Sequence, residues 1–173
     1  MFSPLFDNTI DAINRWQPTQ HYPDENAYRN DLLDYLRKVL NETSPFMPQS
    51  NISIRKEDGR GLCDIAVGEK AVGIEMKKNL SKKSHVDRLA GQLMDYKNGY
   101  DNLIIVLVGK TDKEAFELLK LKVSQLSDGG GFNLNQQRIK IIIKAHTAKK
   151  EQVKESNIWD VKLLKYDPPK FKW

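Results

Sequence analysis

The chain has 173 residues, 39% of them hydrophobic and 29% charged, with a formal net charge of +5. That length buries one core and leaves too little chain for a second independent domain. The positive balance favours an anionic partner, nucleic acid being the commonest, and the most apolar run, 103-LIIVLV-108, is far too short to span a bilayer.

In chain order, 3-SPLFDNTIDAINRW-16 predicts a first helix, with Ser3 as its cap and Pro4 at the first helical position. Phe2, Leu5, Phe6, Ile10 and Ile13 recur at helical spacing and predict a packing face, against the body of the chain or against a second copy. Asp7 and Asp11 argue against a membrane-surface helix. After 17-QPTQHYP-23, residues 24-DENAYRNDLLDYLRKVL-40 read as a second helix capped by Asp24. Tyr28, Leu32, Tyr35, Leu36 and Val39 form its inward stripe, Glu25 lies near the start of that stripe, and Asp34 points away.

Pro45 and Pro48 mark residues 41–50 as a loop. Three strands follow: 51-NISIRKE-57, 62-LCDIAVG-68 and 71-AVGIEMKKN-79. Residues 84–100 predict a helix with Leu89, Leu93, Tyr96 and Tyr100 on one side, and 102-NLIIVLVGK-110 a buried strand. Thr111 or Asp112 caps a further helix that turns Phe116, Leu119 and Val123 inward, with Leu118 and Leu126 at its flanks. A glycine-bearing loop, 127–137, leads to a last strand, 138-RIKIIIKAH-146. The lysine-rich tail from Thr147, with Trp159, Tyr166, Phe171 and Trp173, is expected to wrap the domain. The order α-α-β-β-β-α-β-α-β gives an α/β domain with a mixed sheet flanked by helices.

Cys63 is the single cysteine, so no internal disulfide forms, and a reducing, intracellular (cytoplasmic) setting is expected. His21, His85 and His146 are scattered and make a poor zinc set with it. The first residues predict no signal peptide.

The stretch 61-GLCDIAVGEKAVGIEMKK-78 carries the chemistry. With Glu69 and Lys70 as the central residues of a tight turn, Gly68 pairs with Ala71 and Asp64 lies opposite Glu75. Lys77 shares the face of Glu75. The other face carries Cys63, Ile65, Val67, Val72, Ile74 and Met76, which read as core. On the charged face Ala66, Gly68, Ala71 and Gly73 are small and leave room for something to approach. Two facing carboxylates repel at a cost on the order of 1 kcal/mol unless a cation lies between them. Lys77 relieves part of that repulsion, and a divalent metal, with its preference for hard oxygen ligands, relieves it better. A metal beside a lysine suits phosphodiester cleavage. A solvent-facing ion network is the simpler alternative.

Asp64, ten residues, Glu75, one residue, Lys77 resembles the D-x(n)-E-x-K core of the PD-(D/E)XK nuclease superfamily, which includes restriction endonucleases, archaeal Holliday-junction resolvases and RecB-like exonucleases. The acids fall on adjoining strands joined by a tight turn, as that family places them, and a helix with an early acid precedes them. The run 92-QLMDY-96 is similar to the Q-x-x-x-Y motif of RecB-like members, and its Gln92 and Tyr96 share a helix face. The resemblance covers roughly residues 24–146, with Cys63 where the family name has proline.

The resemblance implies a restriction-endonuclease-like fold and a metal-dependent nuclease acting on DNA, RNA not being excluded. Asp64 and Glu75 would bind Mg²⁺ or Mn²⁺ with the carbonyl of Met76. Glu25 would add to the metal site, with Asp24 and Asp31 as alternatives for that acid. Lys77 would assist the attacking water, and Gln92 and Tyr96 would position the substrate or the lysine. Lys78, Lys82, Lys83, His85 and Arg88, with Arg60 from 59-GRG-61, are candidate phosphate contacts, and a solvated side chain is the simpler reading of any one of them. A homodimer formed through the first helix or the tail would cut two strands. The rival readings are a non-catalytic nucleic-acid-binding module of the same fold within a larger assembly, and an interaction protein with an acidic protein partner.

Overall fold

A computed structural model describes residues 4–42, 51–57, 59, 61–127 and 137–144. The expectations for Phe2, Ser3 and Arg60, for the loop at Pro45 and Pro48, for most of the 127–137 loop, for the strand end at Ala145 and His146, and for the tail from Thr147 lie outside them. Among the described residues, four helices and five strands follow the expected order: α1 (Pro4–Arg15), α2 (Glu25–Val39), β1 (Ile54–Lys56), β2 (Ile65–Val67), β3 (Val72–Lys78), α3 (Lys83–Tyr96), β4 (Asn102–Val108), α4 (Lys113–Ser127) and β5 (Arg138–Lys144).

The strands lie in one sheet in the order β1-β2-β3-β4-β5. β1, β2 and β3 are antiparallel neighbours, whereas β3, β4 and β5 run parallel, so the sheet is mixed. The parallel half needs helical crossovers, which α3 and α4 provide. The central strands of the sheet are buried on both faces. α1 and α2 close one face with Phe6, Ile13, Trp16, Leu32 and Leu36 over Ile65, Val67, Val72, Ile74 and Met76. α3 and α4 close the other with Leu89, Leu93, Leu119 and Val123 over Leu103, Ile105 and Leu107. All seven residues of β4 are buried, which is why that strand is a continuous apolar run rather than an alternating one. The apolar face of α1, one of the two surfaces considered for a second copy, is thus used within the chain.

Local signals set the ends of the elements. Asp24 caps α2, its carboxylate accepting from Ala27 N–H at 2.8 Å. Asp112, rather than Thr111, takes the corresponding place before α4, accepting from Glu114 N–H at 3.0 Å. Asp31 accepts from the Trp16 indole and from Thr19, fastening the 17–23 linker to α2. The β2–β3 turn has Glu69 and Lys70 at φ 45° and 79°, the left-handed pair of a type I′ turn. It fixes the register Val67↔Val72, Ala66↔Gly73, Ile65↔Ile74, the expected one.

Three expectations need correction. The first two strands are three residues each, shorter than read. α3 ends at Tyr96, so buried Tyr100 packs from the loop beyond it and not from its helix face. Cys63 does not share the face of Ile65 and Val67, because β2 begins only at Ile65 and strand alternation does not extend back to it. It packs on the α3 side, with Tyr96 and Tyr100.

Cys63 and Tyr100 also take up the room left by the small residues. A Cβ at Gly73 would stand 2.6 Å from Cys63 Sγ and 2.8 Å from Tyr100 Cγ. Gly73→Ala is therefore expected to destabilise the protein by about 1–3 kcal/mol through overpacking, read as a lower urea midpoint. An unchanged midpoint would mean that Cys63 and Tyr100 yield without cost.

Candidate functional site

The site forms where β2 stops short. The ladder between β2 and β3 ends at Ile65↔Ile74, yet β3 runs on to Lys78. Met76 and Lys78 therefore lack β2 partners for their N–H groups, and an unmade buried hydrogen bond costs about 1–3 kcal/mol. Two carboxylates replace the missing strand. Asp64, the residue just before β2, accepts from Met76 N–H through Oδ2 at 2.8 Å. Glu25, in the first turn of α2, accepts from Lys78 N–H through Oε2 at 2.8 Å. The acids are thus spent partly on backbone, a role that strand alternation does not reveal.

Their other oxygens face cations. Asp64 Oδ1 receives Arg29 Nη1 at 3.3 Å. Lys77 Nζ lies 2.7 Å from Glu75 Oε1 and 3.4 Å from Glu25 Oε1, so one ammonium joins β3 to α2. Glu75 is 3% exposed. Its second oxygen accepts from the Tyr96 hydroxyl at 3.0 Å. Behind this group the Tyr100 hydroxyl donates to Glu57 and accepts from Cys63 N–H at 3.1 Å.

These residues border a cavity of about 260 Å³ lined by Arg29, Glu57, Asp64, Glu75, Lys77, Gln92, Asp95 and Tyr96, among others. Gln92 lines it too, and its Oε1 is buried without a donor among the described residues. Of the expected site residues, Asp64, Glu75, Lys77, Gln92 and Tyr96 meet at this cavity, and Glu25 reaches it through Lys77. The phosphate candidates stand apart. Lys78 Nζ donates to the Pro23 carbonyl at 2.7 Å. Lys83 pairs with Asp87 at 2.9 Å, and Lys82, His85 and Arg88 are exposed on or beside α3 without lining the cavity. Asp24 and Asp31, the alternatives to Glu25, are occupied as helix cap and linker anchor.

Arg29, Glu57 and Asp95 were not anticipated. Arg29 follows Glu25 by four residues, so it shares its helix face, and that spacing was the available signal. Glu57 directly follows β1 and Asp95 adjoins Tyr96, positions that no pattern marks.

The electrostatics follow from burial. Desolvation pushes the Glu75 carboxyl up from its ordinary 4.5, and the neighbouring Asp64 charge pushes it further, against Lys77 and Tyr96. Burial works to lower Lys77, but Glu75 and Glu25 outweigh it and raise the ammonium above its ordinary 10.5. Burial and Glu75 push the Tyr96 hydroxyl up as well, which keeps it a donor.

A raised carboxyl means that the folded chain holds more protons than the unfolded one from pH 4.5 up to the raised value, so stability falls as pH rises through that window. The Lys77 contribution is complete below pH 10.5 and is lost as pH rises through its raised value. In EDTA, the stability of wild type relative to Glu75→Gln is therefore expected to decline with pH above 4.5, measured as urea midpoints across a pH series. A constant difference would contradict the raised Glu75.

Among the described residues, no three His, Cys, Asp or Glu side chains form a preassembled metal-ligand cluster. The donors present are nevertheless of the kind Mg²⁺ or Mn²⁺ accepts: two carboxylates at one cavity, with the Met76 backbone on the strand edge that β2 has left. The burden that a cation would relieve is the mutual repulsion of Asp64 and Glu75. No helix among the described residues is long and apolar enough to cross a membrane. Comparisons with family models, with curated proteins and with solved structures find no match to the chain.

Proposed function

We propose that this protein is a Mg²⁺- or Mn²⁺-dependent nuclease that hydrolyses DNA phosphodiester bonds, on a restriction-endonuclease-like variant of the mixed α/β fold. One observation carries the reading. The Lys77 ammonium lies 2.7 Å from Glu75 in a cavity that Asp64 also lines, with Glu25 and Tyr96 bracing the pair.

Asp64, Glu75 and the Met76 carbonyl would hold the metal, and Glu25 borders them through Lys77. A bound divalent ion supplies a water of lowered pKa and charge stabilisation at the phosphate. Lys77 orients the attacking water and balances charge gathering on the phosphate oxygens. Tyr96, held as a donor, fixes the Glu75 carboxylate. Gln92, on the cavity wall one helical turn before Tyr96, would position the substrate or the lysine. The exposed cations Lys82 and Arg88 would meet the strand outside the cavity through phosphates, without reading sequence, and Lys83 would have to leave Asp87 to join them.

A specific observation favours a second reading, a non-catalytic nucleic-acid-binding module. Both oxygens of Asp64 and both of Glu75 already have protein donors, as in a purely structural network. Mn²⁺ titration by calorimetry separates the two. The nuclease reading expects binding that Glu75→Gln weakens strongly. Absence of Mn²⁺ binding, with DNA binding retained, would leave the module.

A further inference from the structure

Gly91 stands in the interior of α3 and is exposed. A glycine there weakens the helix relative to alanine, because it has more backbone freedom to lose on folding. Within a fold, a glycine is required by a left-handed backbone or by a crowded Cβ position. Neither applies. Gly91 is not among the glycines of positive φ, and a Cβ built on it meets nothing within 4 Å among the described residues. Gly73 shows the contrast, since a Cβ there would collide with Cys63 and Tyr100. What remains is close approach from outside the chain.

The surroundings indicate what approaches. Arg88 precedes Gly91 by three residues and Asp95 follows it by four, so the three share a face of α3, turned away from the buried Leu89 and Leu93. Lys82 and Arg88 are exposed towards the start of the helix. Lys83 and Lys122 stand nearby and share the Asp87 carboxylate. Gln92, next to Gly91, and Asp95 belong to the cavity wall. The face therefore leads from a group of cations, over a place without a side chain, to the cavity. At that end the divalent ion of the proposed centre would meet the phosphate and offset the Asp95 charge.

We propose that the outer face of α3 at Gly91 is where the sugar–phosphate backbone of a DNA strand lies against the protein as it enters the cavity. The missing side chain lets the strand reach van der Waals contact with the helix backbone, with Lys82 and Arg88 against its phosphates. This rests on the nuclease reading and adds to it the path of the strand. A side chain at position 91 would hold the strand off the helix.

The test uses the fact that folding and binding should move in opposite directions. Gly91→Ala and Gly91→Gln are compared with wild type in urea melts, in binding of fluorescent duplex DNA in EDTA, and in cleavage with Mg²⁺. Both variants are expected to raise the urea midpoint, since alanine and glutamine favour the helix over glycine. Gly91→Gln is expected to weaken DNA binding about tenfold, the cost of forcing a side chain into a close contact, and Gly91→Ala to weaken it less. Wild-type affinity in Gly91→Gln would overturn the proposal. So would a lowered urea midpoint, which would mean that the chain itself packs against Gly91. If wild type neither binds nor cuts DNA, the nuclease reading falls and the proposal with it. If wild type cuts DNA and Gly91→Gln binds and cuts equally well, the strand path alone falls.

Discussion

Lys77→Ala is expected to lower metal-dependent DNA cleavage by about 10²–10⁴-fold, the range that a positioned proton-transfer or charge-balancing group contributes. The loss should appear in the rate of a single turnover and not in DNA affinity, since Lys77 is held by Glu75 and Glu25 and is not left for the strand. The variant also tests the electrostatics. Without the ammonium, Glu75 is buried beside Asp64 with Tyr96 as its remaining named partner. Breaking a buried pair costs about 3–5 kcal/mol while the survivor stays charged. Glu75 escapes part of that cost by taking a proton. Lys77→Ala is therefore expected to approach wild-type stability at acidic pH and fall behind as pH rises, with paired urea melts as the measurement. Cleavage at the wild-type rate would remove Lys77 from the chemistry, and a pH-independent stability gap would contradict the coupling.

Asp64 is expected to show the second large effect, and here the choice of substitution matters. Asp64→Ala removes the acceptor of Met76 N–H and one ion-pair partner of the buried Arg29 together. An orphaned N–H costs about 1–3 kcal/mol, and breaking a buried ion pair adds to that. A destabilisation of about 3–5 kcal/mol is expected, a large part of the stability of a domain this size. Asp64→Asn keeps an amide oxygen for Met76 N–H and is expected to be the milder change. Both should lose cleavage. Inactivity of the alanine variant alone therefore proves little, because it has a structural cause. The informative result is a folded, inactive Asp64→Asn. A folded Asp64→Asn with wild-type cleavage would show that the carboxylate serves only the backbone and Arg29.

The parts of the fold legible in the sequence were those set by local rules. The 3.6-residue stripes of α1 and α2, the unbroken apolar run of β4 and the capping residue Asp24 each declare their element without tertiary help. The turn at Glu69 and Lys70 fixed the hairpin register as far as Ile65↔Ile74, and Asp64 and Glu75 meet at the cavity just beyond that last pair. What the sequence concealed depends on where regular structure stops. Alternation could not show that β2 starts at Ile65, so Cys63 was assigned to the wrong face and the space beside Gly73 was read as open. Nor could it show that Asp64 and Glu25 serve β3 as substitutes for a missing strand. The spacing of Arg29 from Glu25 was legible, but its meeting with Asp64 was not. It reaches Asp64 from the helical layer opposite α3, 35 residues away in the chain, and no local spacing encodes that meeting.

The central claim is that Asp64, Glu75 and Lys77 form a metal-dependent phosphodiesterase centre. Its most direct test is cleavage of end-labelled linear, branched and plasmid DNA by wild-type protein in Mg²⁺, Mn²⁺ or EDTA, with folded Asp64→Asn alongside. Cutting that requires the metal and is absent in the variant is the predicted result. Intact DNA with wild type under every metal condition, or cutting that persists in EDTA, would contradict it.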